Sequence, residues 1–176
     1  MDTSKIIIET ENLLLKPICL DYKVDTFKAF TPEITVFMHP KPAEKIEETI
    51  EYIEGAIDRN KAGTDFGVAI IEKRIGEFLG NGGLHHINTR EPELGIWIKK
   101  SAHGHGYGKE AMMAMKKWAD ENLDYDFILY PVDRDNYASR RIPEAMGGKV
   151  CGEHESVGLG GNHMNTLEYR IYKAIF

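Results

Sequence analysis

Residues 93–98 read Glu93-Leu94-Gly95-Ile96-Trp97-Ile98 and residues 103–111 read His103-Gly104-His105-Gly106-Tyr107-Gly108-Lys109-Glu110-Ala111, with Lys99 to Ala102 between them. The first run combines isoleucine, leucine and tryptophan in a short apolar stretch and predicts a strand. After the turn, Ala111, Met112, Met115, Trp118 and Ala119 recur at helical spacing toward Leu123, which predicts a helix. Between the two, Gly104, Gly106 and Gly108 leave the turn free of β-carbons. Backbone N–H groups there can approach an anion, and the helix that follows adds the positive end of its dipole. The unit reads as a phosphate cradle. Its spacing is not G-x-G-x-x-G and no Lys-Ser or Lys-Thr follows, which disfavours dinucleotide and nucleoside-triphosphate sites.

The rest of the chain supplies the elements around this unit. Ile6-Ile7-Ile8 and Leu13-Leu14-Leu15, ending at Pro17, predict one opening strand with a bulge. A short helix over Asp21 to Phe30 is stopped by Thr31-Pro32, and Ile46, Ile50, Ile53 and Ile57 form the stripe of a longer helix over Glu44 to Asn60. Three antiparallel strands in series follow: Phe66 to Ile71, Ile75 to Ile87 and Leu94 to Ile98. Beyond the glycine turn and its helix, Phe127 to Tyr130 reads as a central strand, and a strand–helix–strand connection allows parallel pairing there. A helix over Tyr137 to Met146 ends at Gly147-Gly148, and two last strands run over Lys149 to Val157 and Thr166 to Ile175. The expected fold is α+β, a mixed and mostly antiparallel sheet of seven strands with four helices, in one domain over residues 1–176.

Composition narrows the function classes. With 28 acidic against 22 basic residues the net charge is −6, so no global positive field exists to hold nucleic acid or an anionic membrane. The two cysteines, Cys19 and Cys151, are far apart, which suggests neither a disulfide framework nor a zinc knuckle and favours a reducing, cytoplasmic setting. No segment approaches the ~20 apolar residues of a membrane span, and the N-terminus carries no targeting pattern.

The glycine turn resembles the acetyl-CoA motif of the GNAT N-acetyltransferase superfamily, Gln/Arg-x-x-Gly-x-Gly/Ala, with Gly106 and Gly108 as its glycines. Thr10-Glu11-Asn12-Leu13-Leu14-Leu15-Lys16-Pro17, Gly80-Asn81-Gly82-Gly83-Leu84 and Asn136-Tyr137-Ala138-Ser139-Arg140-Arg141 resemble further segments of its ribosomal-protein N-terminal acetyltransferase (RimJ/RimL-like) branch. The resemblance implies a strand carrying Trp97 that splays from the strand carrying Ile128, with the pantetheine arm of acetyl-CoA in the gap. Its amides would pair with the backbone of Trp97, Ile98 and Lys99. The turn His103, Gly104, His105, Gly106, Tyr107, Gly108 and Lys109 would take the pyrophosphate, and Lys99, Lys100, Lys109, Arg140 and Arg141 are candidates for the adenosine 3′-phosphate. His103 stands where the family has Gln or Arg, so cofactor affinity is expected to fall as pH rises. Pro143 interrupts the second cofactor helix and is expected to kink it.

The chemistry this implies is acetyl transfer to a primary amine by direct attack in a ternary complex. Glu93 matches the general-base glutamate of several GNAT enzymes, acting directly or through a water. Backbone N–H groups near Trp97 and Ile98 would stabilise the oxyanion. Many relatives place a tyrosine soon after the Asn136 position; none follows Tyr137 within seven residues, so Ser139 is expected on the thiol side as acid or hydrogen-bond donor, with Asn136 as a cofactor ligand. Neither cysteine lies near the motif, which disfavours an acyl-enzyme. No metal is expected: His85 and His86, adjacent on a strand, point to opposite faces, and one of them is expected to face the acceptor pocket. A protein N-terminus, a polyamine, an amino acid and an aminoglycoside all remain open as acceptors. So do a monomer and a homodimer paired through the last two strands, and a non-catalytic module that senses acyl-CoA beside a partner protein.

Overall fold

The computed structural model describes residues 1–173. Its elements, in chain order, are β1 (Ile8–Glu9), β2 (Leu13–Pro17), α1 (Lys23–Ala29), α2 (Pro32–Thr35), α3 (Ile46–Ala62), β3 (Phe66–Glu72), β4 (Phe78–His85), β5 (Glu93–Ile98), α4 (Tyr107–Asn122), β6 (Ile128–Asp133), α5 (Tyr137–Ala145), β7 (Lys149–Val157) and β8 (His163–Ile171). The strands form one eight-stranded sheet in the order β1-β2-β3-β4-β5-β6-β8-β7. Every neighbouring pair is antiparallel except β5 with β6. No helix among the described residues is long and apolar enough to cross a membrane. The final strand ends at Ile171, and Ile175, expected within it, lies outside the described residues.

Sheet and helices form three layers. Along β3 the side chains alternate between two cores: Phe66, Val68 and Ile70 join Leu84, Leu94, Met112 and Met115 beneath α4, while Ala69 and Ile71 pack with Phe78 toward α1. Burial on both faces explains why Phe66 to Ile71 reads as an unbroken apolar run rather than an alternating one. The stripe of α3 reaches the sheet through Ile53 and Ala56, and this helix ends in a left-handed Gly63.

Two sequence expectations change. The opening segment is a hairpin, with Ile8 opposite Leu15 and Glu9 opposite Leu14, which brings the strands to eight rather than seven. The chain reverses because Thr10 pairs with Leu13 through its amide and hydroxyl, and because Glu110, in the first turn of α4, ties the tip down. Its carboxylate accepts from the Thr10 hydroxyl at 2.6 Å, the Asn12 amide at 2.8 Å and Asn12 Nδ2 at 3.0 Å. Those contacts are 98 to 100 residues apart in sequence, so no local pattern announces them. The second change is at Pro32, which stops α1 as expected but also opens the one-turn α2 at its first position.

The hydrogen bonds hold the Glu110 carboxyl below the usual glutamate value of 4.5. A depressed folded value contributes stability above the unfolded value and loses it as pH falls through the folded one. Glu110→Ala is expected to cost about 1–3 kcal/mol in urea unfolding at pH 7, with the difference from wild type shrinking as the pH is taken below 4.5.

Candidate active site

Strand β5 is fully paired on one side and almost unpaired on the other. Its register with β4 runs from Gly80 opposite Ile98 to His85 opposite Glu93, whereas with β6 it has the single pair Glu93 and Leu129, closed by the Leu129 amide on the Pro92 carbonyl at 2.8 Å. Past that point the two strands diverge. The Lys99 amide donates to Leu79 at 2.7 Å, which sets the alternation: Gly95, Trp97 and Lys99 turn their backbone groups to β4, and Ile96 and Ile98 turn theirs to the opening. The splay expected of the fold is present, but the backbone at its open edge belongs to Ile96 and Ile98 rather than to Trp97 and Lys99. Ile96, not singled out from the sequence, follows from the period of two once the register is known.

The glycine turn sits where this opening meets α4. Gly104 and Gly106 have φ of 81° and 79°, in the left-handed region that favours glycine, and a β-carbon on either would meet nothing within 4 Å. Among the described residues no amide of residues 104–109 finds a protein acceptor; the first bond of the turn is the Glu110 amide on the Gly106 carbonyl. These orphan donors lie at the positive end of a 16-residue helix. Two histidines brace the loop. His103 places Nε2 at 2.7 Å from the Ile98 carbonyl, and His105 places Nδ1 at 3.0 Å from the His103 carbonyl while its ring stacks on Tyr107. His103 thus caps the strand edge at Ile98. Of the candidate cations, Lys99 pairs with Glu77, Lys100 with Glu33, and Arg140 bonds the Arg134 carbonyl and Tyr169. Among the described residues Lys109 and Arg141 make no ion pair.

Side chains of β5 alternate too, so the strand serves two faces. Leu94, Ile96 and Ile98 pack beneath α4. Trp97 lies on the opposite face against Phe30 and Phe78, where it lines a cavity of about 140 Å³ with Tyr52, Asn81, His85 and Asp65. Glu93 is half-buried beside this cavity, cross-strand from His85. Burial raises its carboxyl above the ordinary 4.5, with the nearby His85 and His86 pulling the other way. Asn81 is 3% exposed, and among the described residues neither its Nδ2 nor its Oδ1 has a partner. Arg59 Nε and His85 Nδ1 each lie 3.0 Å from Asp65 Oδ2.

On the other side of the opening, Asn136 caps α5 by accepting from the Ser139 amide at 3.2 Å. Ser139 Oγ stands 2.9 Å from the Tyr130 hydroxyl, and burial pushes that phenol up to about 12. A tyrosine hydroxyl thus stands next to the serine, but it comes from β6, nine residues upstream of Ser139, rather than from α5. Helix α5 continues through Pro143 to Ala145, so the proline falls in its last turn and only a short stub follows it. Among the described residues no group of three or more His, Cys, Asp or Glu is arranged to hold a metal ion.

An anion cradle at a helix start, an adjoining strand edge with unpaired backbone groups, and a cavity carrying Asp65, Arg59 and His85 on the far face of that strand suit a ligand that is phosphorylated at one end, amide-bearing along its arm and reactive at its tip. Residues 12–149 match the model of the acetyltransferase (GNAT) domain family. The chain belongs to this family and is an acyltransferase that uses acetyl-CoA. Among solved structures it is similar to RimL, the ribosomal L7/L12 α-N-protein acetyltransferase, in complex with coenzyme A (18% identity, 97% of this chain and 100% of that one, TM-score 0.83). It is also similar to a GCN5-related N-acetyltransferase from Brucella melitensis (18%, 98% and 81%, 0.79) and to a GNAT-family acetyltransferase from Bacillus anthracis (16%, 96% and 99%, 0.80).

A side chain at a φ near +80° costs about 1–2 kcal/mol per residue. Replacing Gly104 and Gly106 together by Ala is expected to weaken acetyl-CoA binding about tenfold or more in calorimetric titration while the far-UV circular dichroism spectrum stays unchanged.

Proposed function

We propose that the protein transfers the acetyl group of acetyl-CoA to a primary amine by direct attack in a ternary complex, as one cytoplasmic domain over residues 1–176. The observation that carries this reading is the double use of β5. Its open edge suits the pantetheine arm, its far face lines the cavity that holds Asp65 and His85, and both uses converge near Glu93 and Gly95. Residues 103–109 hold the pyrophosphate, Ile96 and Ile98 pair with the arm, and Lys109 and Arg141 are the cations left for the adenosine 3′-phosphate. The open amides of Ile96 and Ile98 are also the nearest donors for the oxyanion.

Glu93 draws the cationic amine to the closed end of the opening and assists in removing its proton, directly or through an intermediary. Ser139, backed by Tyr130, returns a proton to the departing thiolate. Asn136 orders the start of α5 beneath the cofactor. The acceptor is a protein N-terminus or a small amine; the unpartnered amide of Asn81 suits one that carries an amide beside its amine, and the likeness to RimL points the same way.

Acetyl-CoA is expected to bind in the micromolar range by calorimetry and NADH not at all, and the wild type to acetylate at least one of a free-N-terminus peptide, spermidine, lysine and kanamycin. Glu93→Gln should lower kcat at least tenfold and leave acetyl-CoA affinity intact. Because burial raises the Glu93 value, its charge costs stability in the fold: the benefit of the protonated form is lost as pH rises from 4.5 through the folded value. The same variant should therefore melt higher than wild type at pH 7. Full activity of the variant would remove Glu93 from the mechanism, and failure of acetyl-CoA to bind at millimolar concentration would overturn the transferase reading.

A further inference from the structure

The cavity contains a proton-accepting group that stands apart from Glu93. His85 ends β4 with its Nδ1 at 3.0 Å from Asp65 Oδ2. Asp65 is 5% exposed and is held on three sides, by His85, by Arg59 Nε at 3.0 Å and by the His86 amide at 3.2 Å. These bonds and the imidazole beside it keep its carboxyl below the ordinary value in spite of burial. A fixed, ionised acceptor at Nδ1 calls for the proton on that nitrogen, which leaves the lone pair on Nε2.

Nε2 in turn is directed along the cavity floor. A β-carbon on Gly83 would lie 3.3 Å from both Cε1 and Nε2, and one on Gly95 would lie 3.8 Å from Nε2. The ring therefore lies across two bare stretches of adjacent strands, toward Trp97 and away from the paired end at Glu93. It is also accessible: the His85 side chain is 39% exposed, so a proton taken there can leave to water. The charged groups around it are Asp65 and Arg59 behind Nδ1, His86 next in the chain, and Glu93 opposite on β5.

We infer that His85, positioned by Asp65, takes the proton of the acceptor amine at Nε2, while Glu93, cross-strand from it, contributes the charge that draws the amine in. The inference rests on the acetyltransferase reading given above. An imidazole titrates near ~6.5 and a glutamate near ~4.3, so as a class the imidazole is the closer match to an amine at ~8 to ~10.4. The ammonium gives one proton to Nε2, and the freed lone pair forms the C–N bond to the acetyl carbonyl as the C–S bond breaks. A second proton ends on the thiol, the third stays on the amide nitrogen, and Nε2 releases its proton to water. While charged, the imidazolium is held by the Asp65 carboxylate at Nδ1. Asp65 is a positioning residue, and the absence of side chains at Gly83 and Gly95 gives the ring its place.

The test uses the full chain with an amine that the wild type acetylates. His85→Ala should lose about 100-fold or more in kcat with acetyl-CoA affinity unchanged, and added imidazole should restore part of the loss. Gly83→Ala, which keeps the histidine and displaces its ring, should lose about tenfold. Nitrogen-15 NMR of labelled protein supplies a readout independent of turnover: His85 in the neutral wild type should carry its proton on Nδ1, and Asp65→Asn should release that preference. Undiminished kcat in His85→Ala, or a wild-type tautomer protonated on Nε2, would overturn the inference while leaving the acetyltransferase reading in place. Binding of acetyl-CoA without acetylation of any amine in the panel would overturn both.

Discussion

The structure turns on the single residue pair that joins β5 to β6. Parallel pairing at Glu93 and Leu129 fixes where the two halves of the sheet meet, and its failure to continue leaves the backbone groups of Ile96 and Ile98 without strand partners. A strand edge inside a sheet is costly to leave unpaired, since each amide and carbonyl removed from water needs a partner. Here the Ile98 carbonyl borrows the His103 imidazole. The extended, amide-bearing arm of acetyl-CoA would supply the same kind of partner along the edge, so the break in the sheet and the ligand suit one another.

From that break the remaining geometry follows. A single 3-10 turn over Lys100–Ala102 separates the strand from the glycine turn, and the left-handed Gly104 and Gly106 then bring the chain into α4 within a few residues. Because side chains of β5 alternate, the face that packs α4 and the face that lines the acceptor cavity are separated by one residue at each step. One strand thus serves both the open edge and the cavity. The polar groups of the cavity then divide by environment. Asp65 is tied by three partners and stays ionised, Glu93 is held with fewer compensations and resists ionisation, and Asn81 is buried with nothing in the protein to bond.

What could be read from the sequence was local. The strand–glycine–helix unit announces itself because glycine spacing and helical period are properties of neighbouring residues, and the four segments that resemble the family preserve that texture. Register was not legible. Which of Ile96, Trp97, Ile98 and Lys99 faces the opening depends on the bond from Lys99 to Leu79, twenty residues away in the chain. The pairing of His85 with Asp65 and of Ser139 with Tyr130 likewise needs the topology, as does the hairpin at Thr10, which Glu110 holds from across the molecule. The partners of the charged side chains were not legible for a related reason. Lys99, Lys100 and Arg140 look free in sequence and are engaged in the fold, while Lys109 and Arg141 are left over.

The claim beneath all of this is that the open edge of β5 receives the ligand. Amide hydrogen exchange, measured residue by residue with and without saturating acetyl-CoA, addresses it directly. The account predicts slower exchange on binding at Ile96 and Ile98 and through residues 104–109, with little change at Gly95 and Trp97, whose backbone groups already face β4. Binding that leaves Ile96 and Ile98 exchanging as before, with protection elsewhere on the surface, would contradict it.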